Sequence, residues 1–171
     1  RFLLRPYQKQ RVITFINPQA DHLGQGYNVI QSMIAVGSGG VGGKGLGHGS
    51  QSQLNFLPEQ HTDFVFAVLA EEWGFMGAVA LLGLFALVIV RIIRAVRLSR
   101  NNFGFFIAAG VSVMLLAQIL VNVGMNLGIM PVAGIPLPFV SYGGSSMLAS
   151  LIAIGLVESV IVRRKKRLPL N

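Results

Sequence analysis

From Asn101 to Val157 the chain runs 57 residues without a single formal charge. About 20 apolar residues cross a hydrocarbon core, so a run of this length is too long for one crossing and fits two crossings with a connection. Pro131, Pro136 and Pro138 mark the connection, because proline removes a backbone donor and three prolines in eight residues cannot lie inside a regular span. A second apolar run begins near Phe64 and is uncharged for 18 residues, from Trp73 to Val90. The expected spans are 64–90, 103–127 and 144–162, which makes the fold class an all-α integral membrane protein with about three transmembrane helices. Charged residues are 12% of the chain, against about 25% in soluble globular domains.

The net charge of +8 raises nucleic acid as a partner, but its placement argues against one. Nine of the 14 Lys and Arg residues fall in two clusters, Arg91 to Arg100 and Arg163 to Arg167, each directly after an apolar run. Cationic clusters beside spans set orientation, so both belong on the cytoplasmic side. Basic patches interleaved with stacking aromatics are absent. Three crossings then place residues 1–62 and the proline-rich connection 128–143 on one outer side, with Asp63 at the mouth between them. Without cysteine there is no disulfide framework and no thiolate metal site. The opening Arg1-Phe2-Leu3-Leu4-Arg5, with no methionine and no signal peptide, reads as a fragment whose spans pack against helices elsewhere in a longer protein.

Within the outer segment, Val29, Ile30, Met33 and Ile34 share one helical face, which predicts a short interfacial helix over Tyr27 to Val36. A glycine strip follows from Gly37 to Gly49, eight glycines in 13 residues, able to bend freely and to bring its amides close to an anion. It is not a P-loop: Ser38 stands where Gly is needed and Gly45 where Ser or Thr is needed. Gly37-x-Gly39-x-x-Gly42 fits the dinucleotide fingerprint in spacing, but no helix can open over Gly43 to Ser52 as that fold requires. Two readings remain, a mobile connector or a phosphate-hugging loop with Lys44 as its point charge.

Asp63 has two readings as well. It sits where a helix N-cap would sit, a role Asp fills well. At 3.6 residues per turn it also shares a stripe with Ala67, Ala70, Gly74 and Gly77, small residues that let a neighbouring helix approach and turn the carboxylate inward. Glu71 and Glu72 point elsewhere by the same count and are expected to be held by other helices. His61 reads as an interfacial histidine or a ligand. Ser141, in Ser141-Tyr142-Gly143-Gly144-Ser145, reads as a cap on the last span or a sugar-binding hydroxyl.

Several motifs together resemble the SEDS family of bacterial cell-wall synthesis. They are Tyr7-Gln8-x-x-Arg11, Gly26-Tyr27, Gln31-Ser32, Gly37-Ser38-Gly39-Gly40, Gly43-Lys44-Gly45, Leu57-Pro58-Glu59-x-His61-Thr62-Asp63-Phe64, Glu71-Glu72-x-Gly74, Asn122-x-Gly124-Met125 and Pro136-Leu137-Pro138-Phe139-x-Ser141-Tyr142-Gly143-Gly144-Ser145. They run in order through nearly the whole chain. Gln51-Ser52-Gln53-Leu54 and Gln60 are closer to the rod-shape branch than to the division branch.

The resemblance implies a ten-span bundle of which this chain is the C-terminal part, with 1–63 as a large extracytoplasmic loop and 64–171 as the membrane part with a basic cytoplasmic tail. It implies a multi-pass protein of the bacterial cytoplasmic membrane whose active site faces outward. The implied activity is a peptidoglycan glycosyltransferase that polymerises lipid II into glycan strands for cell elongation and rod shape. Asp63 matches the family's essential carboxylate and is the candidate general base. Lys44, Arg11, His61, Glu59 and Ser141 are the candidate substrate-binding residues. Asp63 is also a candidate ligand for a divalent cation, Mg or Mn, with no organic cofactor expected. Expected partners are lipid II, the growing glycan strand, membrane lipid and a class B penicillin-binding protein. The alternatives are a flippase for lipid-linked precursor and a scaffold for that transpeptidase.

Overall fold

The computed structural model describes residues 11, 13–15, 24–49, 61–99 and 101–165. Four helices follow in order: α1 (Gln25–Ser38), α2 (Val65–Leu98), α3 (Asn102–Asn126) and α4 (Gly144–Lys165), with no strand among the described residues. Helices α2, α3 and α4, the last over Gly144–Val162, are long and apolar enough to cross a membrane by length and composition.

α2 runs past the expected end at residue 90 and through the arginines to Leu98. The reason is periodicity: Ile89, Ile92 and Ala95 stay buried at three-residue steps while Arg91, Arg94 and Arg97 take the exposed side, so the amphipathic pattern outlasts the uncharged run. Arg97 lies in the last turn, where a cation complements the helix dipole. α3, from Asn102, packs back along α2. Ile92 and Ala95 of α2 meet Ala108, Val111 and Leu115 of α3, and Ala153 and Val157 of α4 complete this core. A second cluster nearer the α2 start joins Phe66, Phe85, Ile119 and Leu137.

α1 packs on α2 by a face that only partly overlaps the apolar face expected to lie in the interface. Val29, Ser32 and Ala35 are buried, whereas Met33 and Ile34 are exposed. Ser32 can be buried here because its single hydroxyl proton is shared between the Val29 and Asn126 carbonyls (2.9 and 3.1 Å), and a paired hydroxyl donor is buried at little cost. Ala35 then meets Phe64 and Ala67 of the α2 entrance.

The strongest irregularity is in α2. Gly74 has φ 66° and ψ −162°, a conformation essentially restricted to glycine, and it divides the helix into a short segment, 65–73, and the long span that follows. Such a break frees main-chain groups that must be paired again where water is absent. The glycine strip pairs them: the Lys44 and Gly45 amides donate to the Glu71 and Glu72 carbonyls (both 3.0 Å), and the Phe75 and Met76 amides donate to the Gly40 and Val41 carbonyls (2.8 and 3.2 Å). Gly43, at φ 79°, must be glycine here, since a Cβ would collide with the Glu72 carbonyl. The strip is therefore docked on the broken helix and is not a free connector. Its glycines follow a helix instead of opening one.

Candidate functional site

Asp63 lies one residue before the Phe64 N-cap of α2, and the N-cap reading of Asp63 is not realised: Phe64 holds that position with no side-chain cap bond. The amide a cap would serve, Ala67 N–H, is taken by Asn126 Oδ1 from α3 at 3.2 Å. This part of the cap is thus supplied from a neighbouring helix.

Three consecutive carbonyls fix the backbone that carries it. Tyr142 N–H donates to His61 O at 2.8 Å. Ser141 Oγ donates to Thr62 O at 2.5 Å while accepting Leu137 N–H at 2.7 Å. Asp63 O accepts from Asn122 Nδ2 (3.0 Å) and Asn126 Nδ2 (3.1 Å). Asn122 Nδ2 also reaches Ile135 O at 2.8 Å, and Asn126 Nδ2 reaches Asn122 O at 2.8 Å. Both asparagines are completely buried. The entrance of α2 and the proline-rich loop are thus laced together through α3. The half-buried Asp63 carboxylate lies beside Gly134 of that loop: a Cβ there would stand 3.6 Å from Asp63 Oδ2.

The other candidate residues divide. Arg11 donates from Nη1 to Ala133 O at 3.4 Å, so it and Asp63 flank the same stretch of loop, 133–134. Arg11 also lines a cleft of about 30 Å³ with Met33, Met130 and Pro131. His61 is exposed beside Asp63 in sequence, and its carbonyl is one of the three that are held. Ser141 is buried and engaged as a clip between loops; it caps no helix, since the Ser146 hydroxyl and the Met147 amide take the Gly143 carbonyl at the start of α4. Glu59 lies outside the described residues.

Lys44 is drawn away from Asp63. Its Nζ pairs with Glu71 Oε1 at 2.7 Å, and Glu71 is 0% exposed. Glu72 Oε1 accepts the Gly47 amide at 3.1 Å. The expectation that other helices hold these glutamates is corrected: the glycine strip holds both, because the break at Gly74 lets it lie directly against that turn of α2. Ala70 and Gly74, on the predicted small-residue stripe, admit this strip and not another span.

Asn122 and Asn126 are what the reading of single residues missed. Their spacing was visible, two amides four residues apart in a charge-free run, which is the pattern of polar groups that join helices inside a membrane.

The chain matches the model of the cell cycle protein family FtsW/RodA/SpoVE over residues 1–166. It is 50% identical over 164 residues to the peptidoglycan glycosyltransferase MrdB of Escherichia coli, covering 96% of this chain and 44% of that protein. To the peptidoglycan glycosyltransferase RodA of Treponema pallidum it is 48% identical, covering 95% of this chain and 37% of that one. The chain therefore spans less than half the length of these curated relatives. Among solved structures it is similar to a chain from a peptidoglycan synthase complex that coordinates polymerization and crosslinking, at TM-score 0.73 and 38% identity over 94% of this chain and 43% of that chain. It is also similar to an aspartate-to-alanine mutant of the rod shape determining protein RodA from Thermus thermophilus, at TM-score 0.60 and 30% identity over 98% of this chain and 60% of that one. With its family model matched almost end to end, this chain belongs to the FtsW/RodA/SpoVE family of multi-span bacterial membrane proteins.

Proposed function

We propose that this chain carries the catalytic carboxylate of a peptidoglycan glycosyltransferase that polymerises lipid II at the outer face of the cytoplasmic membrane, for cell elongation. The observation that carries the reading is the three-carbonyl clamp on residues 61–63, which holds Asp63 beside the proline-rich loop. Scaffolding alone gives no reason to hold one half-buried carboxylate this firmly; catalysis does, because a reacting group must be kept within a fraction of an ångström of its working position. Relatives bearing the name peptidoglycan glycosyltransferase support the same class of chemistry.

In that reaction the C4 hydroxyl of the acceptor sugar attacks the anomeric carbon of the donor, and polyprenyl diphosphate leaves with the bonding pair. The attacking hydroxyl must lose its proton as the new bond forms, and Asp63 receives it as general base. The diphosphate departs as an anion and needs positive charge more than it needs a proton. Arg11, whose guanidinium donates to Ala133 O of the proline-rich loop, is the cation we assign to it. Lys44 is committed to Glu71 and is not assigned to the donor.

Among the described residues no group of three His, Cys, Asp or Glu side chains forms a protein-built metal cage. Asp63 is the carboxylate that would hold a Mg or Mn ion, and such an ion would supply positive charge toward a diphosphate. A class B penicillin-binding protein is the proposed partner, supported by the similarity to a chain of a complex that joins polymerization to crosslinking.

The test is polymerisation of labelled lipid II by the purified full-length protein with its transpeptidase. Glycan chains are expected from the wild type and none from Asp63→Ala. Full polymerisation by that variant would remove Asp63 from the mechanism, and an inert wild type that still moves lipid II across vesicles would favour a flippase.

A further inference from the structure

We propose that Lys44 and Glu71 are a positioning pair: they clamp the glycine strip into the break at Gly74 and so set the angle at which the segment bearing Asp63 meets the proline-rich loop. The inference rests on the catalytic reading of Asp63 and assigns a role to two charges that reading leaves unused.

Four independent features of the junction support it. Gly74 is a true discontinuity, so the orientation of 65–73 is not dictated by the long span below it. Four main-chain hydrogen bonds cross between the strip and the two sides of the break. Glu71 is fully buried yet ionisable, and it is met by Lys44 at 2.7 Å on the same turn whose carbonyl takes the Lys44 amide. Gly43 and Gly74 lie so close that a Cβ on Gly74 would strike the Gly43 nitrogen, so the strip lies directly against the break.

Six residues separate Val65 from Glu71, about 9 Å along the helix, so the pair lies more than a turn and a half below the end where Asp63 stands. A buried carboxylate without its cation would draw water or rearrange, and the element that carries this carboxylate is the short segment itself. The upper end of that segment is held by Asn122, Asn126 and Ser141, and its lower end by this pair. Losing the lower clamp tilts the carboxylate without removing any group that touches substrate.

Kinetics on the full-length protein with its transpeptidase separate this from a donor-binding role for Lys44. Lys44→Met and Glu71→Leu are each expected to lower kcat at least about tenfold, with KM for lipid II held within about twofold. The apolar double variant and the charge swap Lys44→Glu with Glu71→Lys are expected to regain most of that loss, since neither leaves a buried charge alone. A lysine that grips the donor diphosphate predicts the reverse: KM rises in Lys44→Met, and the swap, which sets a carboxylate at position 44, stays inactive. That result would overturn the proposal, as would double variants no better than the singles or unable to accumulate where Asp63→Ala does. Trypsin gives a readout independent of catalysis. Cleavage after Lys44 is expected to be slow in wild type and Asp63→Ala and faster in Glu71→Leu, whereas equal protection in all three would overturn the clamp. Wild type that fails to polymerise lipid II while showing this protease pattern would sink the catalytic reading and leave the clamp standing.

Discussion

Asn126 shows how much one side chain can organise. Its Oδ1 accepts the Ala67 amide, its Nδ2 donates to Asp63 O and Asn122 O, and its own carbonyl takes the Ser32 hydroxyl. Asn126→Ala is expected to lower stability by about 1–3 kcal/mol, because it removes the side-chain amide that joins the Ala67 amide and the Asp63 and Asn122 carbonyls in a buried site. It should also lower kcat on the order of tenfold through a looser Asp63. Thermal unfolding in detergent and the lipid II assay read the two effects, and the expected signature is a kcat loss with KM unchanged. Ser141→Ala removes both the bond to Thr62 O and the acceptor for Leu137 N–H, so a similar loss of stability is expected, about 1–3 kcal/mol, in the same unfolding measurement.

α2 is better described as a nine-residue platform joined to a membrane span than as one helix. The platform places Asp63, the span provides the core stripe of Phe85, Ile89, Ile92 and Ala95, and Gly74 lets the two differ in direction. Gly74→Ala is expected to cost about 1–3 kcal/mol from its backbone conformation alone, with further loss because the new methyl group meets Val41 and Gly43. Reduced accumulation in membranes and a lower unfolding temperature would show it. A variant as stable as wild type would mean that the helix can run straight and the strip can leave.

At the scale of the molecule, three spans leave much apolar surface uncovered; Phe103, for example, is 78% exposed. One consequence is topological. The antiparallel order of α2, α3 and α4 puts residues 61–63 and 134–143 at one end, and the end of α2 at Leu98 with the start of α3 at Asn102 at the other. Single cysteines at His61 and Tyr142 are expected to react with a membrane-impermeant thiol reagent applied to the outside of cells, and one at Ser99 only after permeabilisation. Labelling of Ser99 from outside would reverse the orientation argued from the arginine clusters.

The three spans and their class were legible in the order of amino acids, as was the reason to ask about Asp63. They depend on local properties: an apolar run long enough to span, proline that stops a helix, cationic clusters beside it, and a motif read in line. Which face α1 buries, where α2 ends, what caps it and what holds Glu71 depend on who stands opposite. Ser32 is buried because Asn126 offers a carbonyl, and the Ala67 amide at the α2 entrance is met from α3 because Asn126 offers an oxygen. Lys44, which in sequence resembles a cation awaiting phosphate, is placed against Glu71 by a helix break 30 residues further on. Charge, spacing and length act along the chain and can be read there; the pairing of buried polar groups acts across it, and only the tertiary structure decides it.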